Sequence, residues 1–184
     1  MIKFFFTLLL FSNLFSLGKP PIILIHGFMG WGREEMNEYY YWGGFTDLQE
    51  YLKSEGFEVY TVSVGPISSN WDRAIEAFYQ IKGGEVDYGI SHSKEYNIIQ
   101  KPDGKLYEGF YPEWDEHHPI HIIAHSQGGQ TARMLELYGL LQRELARNNK
   151  NVLSATDRKR LHRAVAVIKT NMRQIQAYFA EQQE

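Results

Sequence analysis

The sequence predicts an α/β fold: a parallel sheet whose short strands alternate with crossover helices. Three observations carry that prediction. Ile22-Ile23-Leu24-Ile25 is a continuous apolar run of the kind shown by a strand buried on both faces. Helix-period and strand-length segments then alternate along residues 46–124. Finally, His121-Ile122-Ile123-Ala124-His125-Ser126-Gln127-Gly128-Gly129 passes from an apolar strand through a serine turn into a helix within nine residues.

Pro20-Pro21 leads into the first strand, and His26-Gly27-Phe28-Met29-Gly30 forms the loop at its carboxyl end, the edge at which open α/β sheets bind ligands. Thr46 is expected to cap a helix with Leu48, Tyr51 and Leu52 at i, i+3 and i+4, and Gly56 to end it in the left-handed conformation. A strand is expected over residues 57–63. The next helix begins after Asn70, places Ala74, Ala77, Phe78 and Ile81 on one face, and stops at Gly83-Gly84. Residues 85–118, rich in Gly, Tyr, Asp and His without a firm period, read as a long structured excursion before a strand over residues 120–124.

Ala124-His125-Ser126-Gln127-Gly128 reads as a nucleophile elbow, with alanine in the first glycine's place of G-x-S-x-G. Small flanking residues give the strained turn room to push Ser126 Oγ out above the strand end. The backbone N–H of Gln127, at the positive end of the following helix, then faces an oxyanion, and the N–H of Phe28 is placed to be its second donor.

At 43% hydrophobic and 22% charged residues, the 184-residue chain belongs with ordinary globular proteins. Residues 1–18 stand apart: Lys3 supplies a basic start, residues 4–15 form an apolar run, and Ser16-Leu17-Gly18 offers small residues at a cleavage site. About a dozen apolar residues fall short of the roughly 20 needed to span a bilayer, so a secretory signal and a mature start near Lys19 are expected. With no cysteine, neither disulfides nor thiolate metal sites hold the chain together.

Charge is uneven. Residues 1–139 carry 10 basic against 18 acidic side chains, whereas residues 140–184 carry 9 against 4. All 16 glycines and 6 prolines lie at or before Gly139, so the chain changes character there. We divide it into a signal (1–18), an α/β domain that bears the elbow (19–138) and a basic helical tail (139–184). No nucleic-acid partner is expected of a chain with a net charge of −3.

With elbow and His26-Gly27-Phe28 in place, the chain resembles the zinc-containing family of secreted bacterial lipases that includes the thermoalkalophilic and staphylococcal enzymes. The likeness runs from about Pro20 to Leu137, through Gly30-Trp31-Gly32-Arg33-Glu34-Glu35-Met36, Tyr41-Trp42-Gly43-Gly44, Ser68-Ser69-Asn70-Trp71-Asp72-Arg73-Ala74, Val86-Asp87-Tyr88-Gly89 and Ala124–Met134. It implies a partial α/β-hydrolase fold, Ser126 as nucleophile, Phe28 and Gln127 as oxyanion donors, and hydrolysis of carboxylic esters, foremost acylglycerols at a lipid–water interface.

Two departures qualify it. The family's zinc ligands in the excursion fall on Asp72, His92 and Ile98, and an isoleucine cannot ligate a metal. No zinc and no other cofactor is therefore expected; Asp72 reads as a local cap or partner and His92 as a solvated loop residue. His117, His118 and His121 read as rim residues. In addition, the 58 residues after Ser126 contain one aspartate, Asp157, and one histidine, His162. Five apart on one helix, they diverge by about 140°, so they read as a cap and a solvated residue rather than a catalytic pair. Leu161, Val165, Ile168, Met172, Ile175 and Phe179 form a heptad seam suited to packing. The expectation is a lipase or carboxylesterase of low activity, with a non-catalytic module carrying a partner-binding helix as the alternative. Self-association is expected through an open sheet edge or the C-terminal helix.

Overall fold

In the computed structural model residues 19–148 are described; the expected signal segment, Asp157, His162 and the heptad seam lie outside them. Three parallel strands form the main sheet: β1 (Ile22–Ile25), β2 (Val59–Thr61) and β5 (His121–Ala124), in the order β2-β1-β5. Ile23 pairs with Tyr60 on one side and Ile122 on the other. The continuous apolar run is thus the central strand, and Ile23, Leu24 and Ile25 are essentially inaccessible to solvent.

Helix α1 (Leu48–Ser54) precedes β2, and α2 (Asn70–Lys82) follows it. The cap of α1 is Asp47, not Thr46: the Asp47 carboxylate accepts the Glu50 N–H and also holds the Arg33 guanidinium. A carboxylate that serves both a helix start and a cation outcompetes a neighbouring hydroxyl. Tyr51, expected on the inner face, is exposed, and Gln49 is buried instead. Gly56 does adopt a left-handed φ of 80°. The second strand is shorter than expected, but its flanks still bond to β1, Ile22 N–H to Glu58 O and Val62 N–H to Leu24 O.

Helix α2 starts at the Ser69 cap, buries Ala74, Ala77 and Ile81, and ends at Gly83 with φ 86°. The excursion holds a short antiparallel pair, β3 (Gly84–Glu85) with β4 (Leu106–Tyr107), and helix α3 (Ile90–Tyr96) between them. Strand β5 then leads into α4 (Gln127–Asn148).

By its contacts the chain divides between Ala132 and Arg133, inside α4. Within the second unit's described residues Leu135 and Tyr138 are buried, and Arg133, Glu136 and Leu140 are exposed. Among the described strands β5 pairs only with β1, so it is an edge, and Ile123 is 47% exposed on it. No helix among the described residues is long and apolar enough to cross a membrane.

Candidate active site

Ser126 sits between β5 and α4 with φ 54°, a left-handed conformation that costs a serine about 1–2 kcal/mol. It is exposed. Two glycines make the turn fit. A Cβ on Gly27 would lie 3.0 Å from Ser126 Cβ and from His125 O, so the Gly27–Phe28 peptide runs beside the elbow. A Cβ on Gly128 would lie 2.4 Å from Ile25 O, so the helix start rests directly on the end of β1. The first turn closes with Gly128 N–H to His125 O and Gly129 N–H to Ser126 O. Gln127 opens the helix, and its side-chain amide donates to Ser68 O at 3.3 Å. Phe28 is exposed, in a tight turn where Gly30 N–H bonds to Gly27 O and Met29 N–H to Pro66 O. Ser126, Phe28 and Gln127 are thus brought to one sheet end.

Gly128→Ala should destabilise the chain by about 3 kcal/mol, because the added methyl meets backbone rather than a side chain that can move aside. Gly129→Ala, with open space around its Cβ, should instead be neutral or stabilising by up to about 1 kcal/mol. Urea midpoints of the two variants check the contrast.

Three polar groups to which no sequence motif assigns a role build this end of the sheet. Arg73 is completely buried on α2; its guanidinium donates to His26 O at 2.5 Å, Gly65 O at 2.7 Å and Thr131 Oγ1 at 3.0 Å. One side chain thereby ties the loops after β1 and β2 to the elbow helix. Burial pulls its pKa below the ordinary value, against the opposing influence of Glu76. The Glu76 carboxylate, also buried, accepts from Gly65 N–H, Tyr88 O–H and Lys105 Nζ. Desolvation and Glu76 together push the Tyr88 hydroxyl pKa up. The available signal was Arg73, Glu76 and Gln80 interleaved with Ala74, Ala77 and Ile81 on one helix, polar residues at i, i+3 and i+7.

Tyr41 is the third. Gly27 N–H donates to its phenol oxygen at 3.0 Å, which leaves the O–H to donate to His125 Nδ1 at 2.5 Å. The hydroxyl therefore bridges the residues immediately before Phe28 and Ser126. His26 is equally committed: Nδ1–H donates to Gly27 O at 2.9 Å and Nε2 accepts from Val64 N–H at 3.4 Å. That pattern requires a neutral ring, and burial lowers its pKa accordingly.

The remaining histidines are placed elsewhere. His118 pairs with Asp115 at 2.9 Å and His117 with Glu116 at 3.6 Å, both exposed, and His121 opens β5 at the surface. Among the described residues no imidazole hydrogen-bonds Ser126 Oγ.

Asp72 and His92 do meet. His92 Nε2 lies 2.7 Å from Asp72 Oδ1, and Asp72 Oδ2 accepts from Ser69 Oγ. His92 is half-buried on α3, with its ring 4.7 Å from that of Tyr96, and not a solvated loop residue as its sequence context suggested. The local helix α3 and the carboxylate on α2 account for the difference. As a zinc site the set does not fit: both carboxylate oxygens and the imidazole nitrogen are engaged with protein, Ile98 offers no donor, and no three His, Asp, Glu or Cys residues cluster among the described residues. Purified chain should contain well under one zinc per molecule; stoichiometric zinc that survives dialysis and disappears in His92→Ala would overturn this.

The model of the lipase-like, C-terminal domain family matches residues 18–155. The lipase of Staphylococcus hyicus is 43% identical over 122 residues, which is 65% of this chain and 19% of the relative; lipase 2 of Staphylococcus aureus is 41% identical over 124 residues, 65% and 18%. Among solved structures, lipase 1 from Pelosinus fermentans superposes with a TM-score of 0.61 at 49% identity, over 66% of this chain and 32% of that one. The crystal structure of Staphylococcus hyicus lipase gives 0.60 at 38% identity, over 74% and 36%. The chain spans about a fifth of the length of the curated relatives it matches. On the extent of the family match and the parallel α/β sheet beneath it, this chain belongs to the lipase-like, C-terminal domain family and corresponds to a segment of staphylococcal-type lipases.

Proposed function

We propose that the chain carries the nucleophile half of an α/β-hydrolase site for carboxylic esters of the acylglycerol type. Ser126 Oγ attacks the acyl carbon, and the backbone N–H groups of Phe28 and Gln127 hold the oxyanion. The observation that carries this reading is the Ser126 backbone, strained at φ 54° and exposed between a strand and a helix with Gly27 and Gly128 in close contact. Strain of that kind is maintained where a site uses it. On prolonged incubation a fluorophosphonate ester should label the chain slowly, as befits a serine with no imidazole bonded to it, and only on Ser126, leaving Ser126→Ala unmodified; labelling elsewhere, or none in a folded sample, overturns the assignment.

The second reading, a non-catalytic lipase-like module whose tail binds a partner helix, draws support from the described histidines, none of which hydrogen-bonds Ser126 Oγ. Substrate presentation at a lipid–water interface and self-association along the β5 edge belong to the first and second readings respectively. Secretion rests on Lys3, the apolar run and Ser16-Leu17-Gly18. N-terminal sequencing of exported protein should begin at or near Lys19, and a Met1 retained in a membrane fraction would mean an anchor.

A further inference from the structure

We infer that the aromatic-walled cavity beside the elbow is a subsite for an aryl group carried by the substrate, an inference that rests on the ester reading above for its place in a reaction. The cavity has a volume of about 420 Å³ and is lined by Trp31, Tyr39, Tyr40, Tyr41, Trp42 and His125. That volume is within the range of small-molecule sites, about 300–1,000 Å³. His125 precedes Ser126 in the chain, so one wall of the cavity is the elbow itself.

The walls are held in place without a ligand. Trp31 meets Tyr41 edge-on at 5.4 Å, Tyr41 meets Trp42 edge-on at 5.5 Å, and Tyr39 meets Phe45 in the same manner at 5.0 Å. Trp31 Nε1–H donates to Tyr39 O, and Tyr40 and Gly44 exchange a pair of backbone hydrogen bonds. The Tyr41 hydroxyl is already committed to Gly27 and His125, so its ring rather than its polar tip is what the cavity presents. A cavity whose lining contains no aliphatic side chain favours a ring over an alkyl chain, because offset and edge-on ring contacts add to area burial.

Isothermal titration of the full chain with 4-phenylbutan-1-ol and with 4-cyclohexylbutan-1-ol tests this. The two alcohols match in carbon count and differ in the ring's π-system, and the cyclohexyl compound is the more hydrophobic. The phenyl alcohol should bind about 2- to 10-fold more tightly, and the preference should vanish in Trp31→Leu. Tyr39→Leu, which alters a ring already 43% exposed, should weaken it without unfolding the chain. Equal or tighter binding of the cyclohexyl alcohol, or a preference unchanged in both variants, overturns the inference. Fluorophosphonate labelling of the same samples separates the two claims. Aryl preference without a labelled Ser126 sinks the ester reading and leaves the subsite; a labelled Ser126 without aryl preference does the reverse.

Discussion

Arg73→Met should cost about 3–5 kcal/mol of stability, enough to unfold much of a domain whose total is of order 5–15 kcal/mol. Methionine approximates the volume of the stem but donates nothing to His26 O, Gly65 O or Thr131 Oγ1; Gly65 O keeps the Ser68 N–H and Thr131 Oγ1 keeps Gln127 O, but His26 O loses its charged donor in a dry environment. The buried Glu76 carboxylate also loses the nearby positive charge that opposes its desolvation, although Lys105 still reaches it. Arg73→Lys should recover only part of the loss, because an ammonium cannot direct donors along three fixed lines at once. Removal of Lys101, which pairs at the surface with Glu85, provides the control and should leave the urea midpoint essentially unchanged. Urea denaturation of the three variants measures the series. A change of under 1 kcal/mol in Arg73→Met would mean that the loops after β1 and β2 are held by packing alone.

Hydrolysis of a short p-nitrophenyl ester should be slow and barely sensitive to Ser126→Ala, even if the serine accepts a phosphonate. A serine hydroxyl is a weak nucleophile until an imidazole takes its proton, and loss of that base costs several orders of magnitude. Of seven histidines, His26 is fixed in a neutral tautomer, His125 is bound to Tyr41, His92 to Asp72 and His118 to Asp115, and His117 and His121 are at the surface. Oxyanion donors and binding alone sustain about 10³-fold over water. If turnover instead approaches about 10 s⁻¹ and disappears in Ser126→Ala, a base operates. His162→Ala is then the decisive variant: loss of activity there would place the tail over the elbow and contradict its reading as a packing helix.

Local chemistry was readable in the residues themselves. A continuous apolar run marks a strand buried on both faces, as Ile22–Ile25 is, and small residues around Ser126 suit the tight turn found there; that this strand is the central one came from the sheet topology. The Gly83 stop of α2 followed from the positive φ that glycine tolerates, whereas its start is capped by Ser69, one residue before the Asn70 that the sequence suggested. Which polar groups would be buried was decided by tertiary structure. Arg73 is 58 residues from its partner Thr131, Tyr41 is 84 from His125, and Asp72 is 20 from His92. Sequence spacing carries no record of such pairings, because the free energy that selects them comes from exclusion of water once sheet and helices have closed on one another. The sequence alone therefore determined the apolar strand and the tight turn at Ser126. Only the folded chain determined that a buried guanidinium joins two loops to the elbow helix and that five aromatic rings wall a cavity beside the serine.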